Sequence, residues 1–172
     1  MVNLLQCQKK RDVLMQIRWT LLTAVALLLS GCGAKPIVES QSALVVFKSK
    51  QFKFADQGYL QSNEDMVSLE LFSAGTLVGK FEIENLVCVL GEGCLIKSSF
   101  NSRFLSEAYP DDLLEHILRG KPIFEGKGIQ KSEHGFEQHI VGDSYLITYK
   151  VSPKMIYFKD RYNKILIKIK KQ

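Results

Sequence analysis

For most of the chain beyond Phe52, hydrophobic residues return at every second position. Phe52 and Phe54 flank Lys53, Val67, Leu69 and Leu71 alternate with Ser68 and Glu70, and Phe81 and Ile83 flank Glu82. A period of two sends successive side chains to opposite faces, so these runs predict half-buried β-strands. Ser73-Ala74-Gly75-Thr76 and Gly91-Glu92-Gly93 interrupt them with turn-forming residues, which predicts antiparallel hairpins, most simply a meander. The alternation resumes over 121–125, 136–141, 145–149, 155–158 and 165–169.

One segment follows a helical spacing instead. Pro110-Asp111-Asp112 precedes Leu113, Leu114, Ile117 and Leu118, and Arg119-Gly120 closes the stretch. Acidic residues suit the positive end of a helix dipole, Arg119 the negative end, and Gly120 a left-handed cap. Strands, one short helix and strands again predict a mainly β (α+β) fold: a curved antiparallel sheet or half-barrel with the helix as a lid over its open side.

Upstream, Trp19 to Ser30 is an apolar run of 12 residues preceded by Arg18. A spanning helix needs roughly 20 apolar residues, so the length fits a signal-peptide core better than an anchor. The run ends in Leu29-Ser30-Gly31-Cys32, which resembles a lipobox, the pattern after which a cysteine receives diacylglycerol. Met15 offers a second, shorter start for the same signal. Expected, then, are a lipoprotein signal peptide at 1–31, lipid on Cys32, a tether at 32–42 rich in Gly, Pro and Ser, and a single periplasmic β-rich domain at 43–172. Gly33 follows the cysteine where inner-membrane lipoproteins of the enterobacterial type carry Asp, so the resemblance favours an outer-membrane anchor facing the periplasm.

The formal charge of +5 changes little once it is located. Four of the 23 basic residues and one of the 18 acidic residues precede Cys32, leaving 19 and 17, a charge of +2. The remaining lysines alternate with apolar residues along the strands instead of forming a run in sequence, which argues against nucleic-acid binding.

With Cys7 upstream and Cys32 assigned to lipid, Cys88 and Cys94 remain, flanking Val89-Leu90-Gly91-Glu92-Gly93 in an oxidising compartment. A structural disulfide across a hairpin turn is expected. Histidines 116, 134 and 139 form no ligand pattern, and neither a nucleophile elbow nor a nucleotide-binding loop occurs, so no metal, cofactor or catalytic residue is expected. An enzyme would have to gather Tyr109, Asp111, Asp112 and His116 into one cleft.

Pro153-Lys154-Met155 leading to Asp160 and then to Ile165, Ile167, Lys168 and Ile169 resembles the closing hairpin of the LolB family of outer-membrane lipoprotein receptors. Leu114, Ile117, Leu118, Gly120 and Pro122 are similar to that family's helix before a Gly-Pro turn, and Leu69 to Gly75 to its strand leading into a protruding turn. The resemblance covers about half of the mature domain. It implies an antiparallel half-barrel with helical lid elements, an apolar cavity for acyl chains of other lipoproteins, and a periplasmic carrier as partner. The chain departs from the family in having Ala74 before Gly75 where an exposed leucine is expected, in lacking the family's tryptophans, and in adding Cys88 and Cys94. Leu77, Val78, Val89 and Leu90 are the residues placed to contact lipid or membrane. Two readings follow: a lipid-anchored protein that takes acyl chains into an apolar half-barrel, or a structural envelope lipoprotein that docks a larger assembly without a ligand.

Overall fold

The computed structural model describes residues 39–172; the signal segment, Cys32 and the tether up to residue 38 lie outside the described residues. Among the described residues, eleven strands form one open antiparallel sheet. The strands are β1 (Glu39–Lys48), β2 (Lys53–Ser62), β3 (Val67–Ser73), β4 (Thr76–Ile83), β5 (Val87–Val89), β6 (Gly93–Leu95), β7 (Ile129–Ser132), β8 (Gly135–Gly142), β9 (Tyr145–Ser152), β10 (Met155–Asp160) and β11 (Ile165–Lys171). Their order across the sheet is β6-β5-β4-β3-β2-β1-β11-β10-β9-β8-β7. Two meanders, β1 to β6 and β7 to β11, are thus joined through the pairing of β1 with β11, where Val45 opposes Ile169 and Phe47 opposes Ile167.

The alternation seen in the sequence sets which face is buried. Across the middle of the sheet, Phe47, Ile167, Phe158, Tyr149 and Gln138 lie opposite one another in a row, and all are almost fully buried. Tight turns allow the strands to return on themselves. Ala74 (φ 49°) and Gly75 (φ 79°) form a two-residue connection with both angles positive, the geometry whose twist matches a β-hairpin. Gly58 has a different reason: a Cβ there would stand 2.7 Å from the Glu70 carbonyl oxygen and 2.9 Å from Val45 Cγ2, so the backbones of β1, β2 and β3 could not pack as they do.

Two helices, α1 (Lys97–Phe104) and α2 (Leu113–Arg119), link the two meanders. The expected single helix is α2, with Gly120 at φ 64° as its left-handed cap. Helix α1 was not expected, because Ser98, Ser99, Asn101 and Ser102 favour helix poorly on their own. Packing stabilises it: Phe100 and Phe104 stack with centroids 5.0 Å apart, and Phe100 meets Phe81 of β4 edge-on at 6.0 Å. The strand expected at 121–125 is also corrected. The backbone there turns through Phe124 (φ 47°) and Glu125 (φ 53°) into a short 3₁₀ turn at Phe124–Gly126. Pro122 has no ladder donor, and the Ile123 N–H goes to the Gln138 side chain instead of a neighbouring strand. Strand β1 begins at Glu39, four residues before the fold start read from the sequence.

Candidate functional site

The helices and the connection that follows them pack against the buried face of the sheet. Leu113, Leu114, Ile117, Leu118 and Ile123 join Val45, Phe47, Leu69, Phe81, Ile156 and Phe158 in one continuous apolar cluster. Contacts run from both helical segments to the strands: Phe100 to Phe81, and Tyr109, just before α2, edge-on to Phe158 at 6.1 Å. These aromatic side chains occupy the space between sheet and helices.

Polar contacts fasten the rim of this apolar layer. Glu115 on α2 binds Lys97 of α1 at 2.8 Å and Arg119 at 3.1 Å, and Arg119 donates through Nη1 to the Asn63 carbonyl in the β2–β3 turn at 2.8 Å. Burial raises the Glu115 pKa, but the two cations outweigh it and hold the carboxyl below its ordinary value. Asn101, buried in α1, donates to the Pro110 carbonyl at 2.8 Å. The Tyr149 hydroxyl donates to the Lys121 carbonyl at 3.0 Å, and burial pushes its pKa up. Gln138 accepts from the Ile123 N–H and donates to the Ile123 and Lys127 carbonyls, so it substitutes for a strand partner in the irregular segment.

Asp160 is the deepest of these fasteners, fully buried at the end of β10. One carboxylate oxygen accepts the backbone N–H groups of Leu146, Tyr162 and Asn163. The other accepts the Tyr109 hydroxyl at 2.5 Å and the Asn163 amide at 2.7 Å. Burial opposes ionisation, yet these donors more than offset it and the pKa lies below the usual carboxylate value. Burial and the adjacent carboxylate push the Tyr109 phenol the other way, so it remains a donor.

Of the residues weighed for catalysis, Tyr109 and Asp112 border one surface pocket beside Phe124 and Tyr145, and Asp111 and His116 do not line it. Tyr109 turns inward to Asp160, whereas Asp112 pairs with His116 at 3.5 Å on the helix and Asp111 is exposed. Among the described residues no group of three or more His, Cys, Asp or Glu could hold a metal ion.

The disulfide expected between Cys88 and Cys94 is present, the two residues lying directly opposite each other on β5 and β6 with Cα atoms 3.9 Å apart. Of the residues singled out for lipid contact, Val89 and Leu90 lie within the loop it closes, whereas Leu77 and Val78 lie at the other end of β4 from the residues that pair with β5. Leu90 is 52% exposed and donates its N–H to the Lys80 carbonyl, which brings it alongside β4 near Val78, itself 48% exposed. Leu77, 38% exposed, opposes Phe72 across the β3–β4 hairpin, and Phe72 packs edge-on against Tyr59 at 5.5 Å. Val89 differs from the other three: it opposes Phe81 and packs against the core. Cys32 lies outside the described residues. Among the described residues, no helix is long and apolar enough to cross a membrane.

Neither a family model nor a curated protein sequence matches the chain.

The lysines that alternate with apolar residues are separated along the chain, but on paired strands alternation places them on one face. Lys48, Lys150, Lys159, Lys168 and Lys170 all lie on the side of the sheet away from the helices. The signal was present in the register, which no single strand reveals.

Proposed function

We propose that this chain is an envelope lipoprotein, held by lipid on Cys32 at the periplasmic face of the outer membrane, whose sheet is a half-barrel that accepts an acyl chain beneath its helices. The observation that carries the reading is the continuous apolar layer between sheet and helices, bordered by polar fasteners that involve few residues. Such a layer accepts an apolar guest by burial alone, at about 25 cal/mol per Å² of surface removed from water, and needs no covalent chemistry. The exposed Leu77, Val78 and Leu90 supply apolar surface for meeting a membrane or a carrier that delivers the guest.

A second reading is favoured by a specific observation. Phe100 against Phe81 and Tyr109 against Phe158 already fill the layer, as expected of a structural lipoprotein that docks a larger assembly through its surface. Lipid extraction with mass spectrometry of the gently purified chain, alongside titration with a fluorescent fatty acid, separates the two. Stoichiometric lipid or saturable probe binding supports the acyl-chain reading; neither result leaves the docking reading. Mass spectrometry of the membrane-bound form tests the anchor itself, which requires acyl groups on Cys32.

A further inference from the structure

The outer face of β1 and β8 to β11 carries basic side chains with little to neutralise them. One row across the strands reads Val46, Lys168, Tyr157, Lys150 and Glu137, and the next reads Lys48, Leu166, Lys159, Thr148 and His139. Lys170 extends the patch at one end and Arg161 at the other. The carboxylate here is Glu137, bound to Lys150 at 2.8 Å and to His139 at 2.6 Å. Lys48, Lys159, Arg161, Lys168 and Lys170 are exposed and make no ion pair among the described residues. Lys48 moreover faces Lys53 directly across β1 and β2, a like-charge pairing that disfavours the sheet on its own. Elsewhere on the sheet the pattern is different, since Lys80 on β4 is paired with both Glu70 and Glu82.

We propose that this face lies against a membrane surface bearing anionic lipid headgroups. Lysine and arginine supply attraction to phosphate, while the half-buried Tyr157, Leu166 and Met155 between them provide apolar and aromatic surface suited to the headgroup boundary. The tether favours a membrane over a diffusing acidic partner. Seven peptide steps separate Cys32 from Glu39 at the start of β1, a reach of at most about 25 Å even when fully extended. β1 borders the patch, so lipid on Cys32 holds the basic face near the bilayer; this step rests on the lipid-anchor reading, whereas the charge pattern does not.

The test uses the full chain carrying Cys32→Ser, which cannot be lipidated, in co-sedimentation with two kinds of vesicle: phosphatidylethanolamine with phosphatidylglycerol, and phosphatidylcholine alone. Stronger binding to the anionic vesicles is expected at roughly 0.1 M salt, and its loss near 1 M, where screening shortens to about 3 Å. Adding Lys159→Gln, Lys168→Gln and Lys170→Gln lowers anionic binding by about fivefold per lysine, on the order of a hundredfold together. A control with Arg103→Gln, Lys121→Gln and Lys127→Gln removes the same charge from exposed positions on the helices and the connection after them, away from the patch, and leaves binding within a few-fold. Equal binding to both vesicles, or equal loss in the two triple variants, overturns the proposal. Acylation of Cys32 is read separately by mass spectrometry of the unsubstituted chain, so failure of the anchor and failure of the basic face are distinguishable.

Discussion

Replacing Asp160 with Asn tests how firmly the helical cover is held to the sheet. The amide is nearly isosteric, so its carbonyl can keep the backbone donors of Leu146, Tyr162 and Asn163. Its NH2 then faces the Tyr109 hydroxyl and the Asn163 amide, two groups that donate to the carboxylate in the native protein. Hydrogen bonds to a charged group contribute about 1.5–3 kcal/mol each, so losing both charge-assisted bonds costs roughly 3–6 kcal/mol. For a domain of this size that lowers Tm by on the order of 10–15 °C in a circular-dichroism melt. A double-mutant cycle with Tyr109→Phe isolates the bond between helix cover and sheet, with an expected coupling of about 1.5–3 kcal/mol. The pH dependence has a definite sign. Because the folded pKa of Asp160 lies below 3.8, its contribution is fully present above that unfolded value and is lost as pH falls through the lower folded value. Glu115 and Glu137 titrate in the same direction, so the difference between native protein and variant isolates Asp160. A loss below about 1 kcal/mol, or additive effects in the cycle, refutes the assignment of Asp160 as the main fastener.

Gln138→Leu leaves the Ile123 N–H and the Ile123 and Lys127 carbonyls without their side-chain partner, and a loss of roughly 3 kcal/mol is expected in urea unfolding. Tyr109 and Tyr149, whose pKa values are both raised above 10.0, should stay protonated in an ultraviolet titration until the chain unfolds. Since the unfolded phenols ionise first, stability declines as pH rises above about 10, and early titration of both tyrosines contradicts their burial. Reducing the Cys88–Cys94 disulfide opens a short loop and costs about 2 kcal/mol. Hydrogen exchange should show that cost in β5 and β6, with the helices unchanged, and peptide mapping without reductant should recover the two cysteines joined.

The strands that were legible in the sequence share one property: a buried face and a wet face, so hydrophobicity alternates along them. β3, with Val67, Leu69 and Leu71, and β11, with Ile165, Ile167 and Ile169, are clear examples. Helix α2 was legible because its apolar spacing, acidic start and capping glycine agree. Helix α1 was not, since Phe100 and Phe104 are its main apolar contacts and its serines and asparagine prefer turns; distant partners, Phe81, Pro110 and Glu115, make it worth forming. The segment around Phe124 failed for a related reason, because its hydrogen bonds go to Gln138, a residue that sequence alone does not bring near. Asp160 and Tyr109 are 51 positions apart, and nothing in either neighbourhood announces their bond. The basic face was hidden by the same alternation that revealed the strands, since neighbours in space come from different strands.

On the acyl-chain reading proposed above, the apolar layer also constrains how a guest could enter. Lifting both helices clear of the sheet would expose Phe100, Phe104, Leu113, Leu114, Ile117 and Leu118, all now buried. At about 2 kcal/mol for each side chain, exposure costs on the order of 12 kcal/mol, comparable to the whole stability of a domain, so an open empty state is negligibly populated. An acyl chain with about 15 methylenes returns a similar amount on burial, at about 0.8 kcal/mol for each. Exchange is therefore close to balanced only if guest and helices move together, with apolar surface passing from one partner to the other without meeting water. Uptake of a fluorescent fatty acid should accordingly be slow from solution and faster from a vesicle or carrier surface. Releasing the rim with Glu115→Gln, which keeps the apolar layer intact, should speed uptake without changing how much is bound. If that substitution leaves the uptake rate unchanged while fatty acid binds, the helices are not the gate.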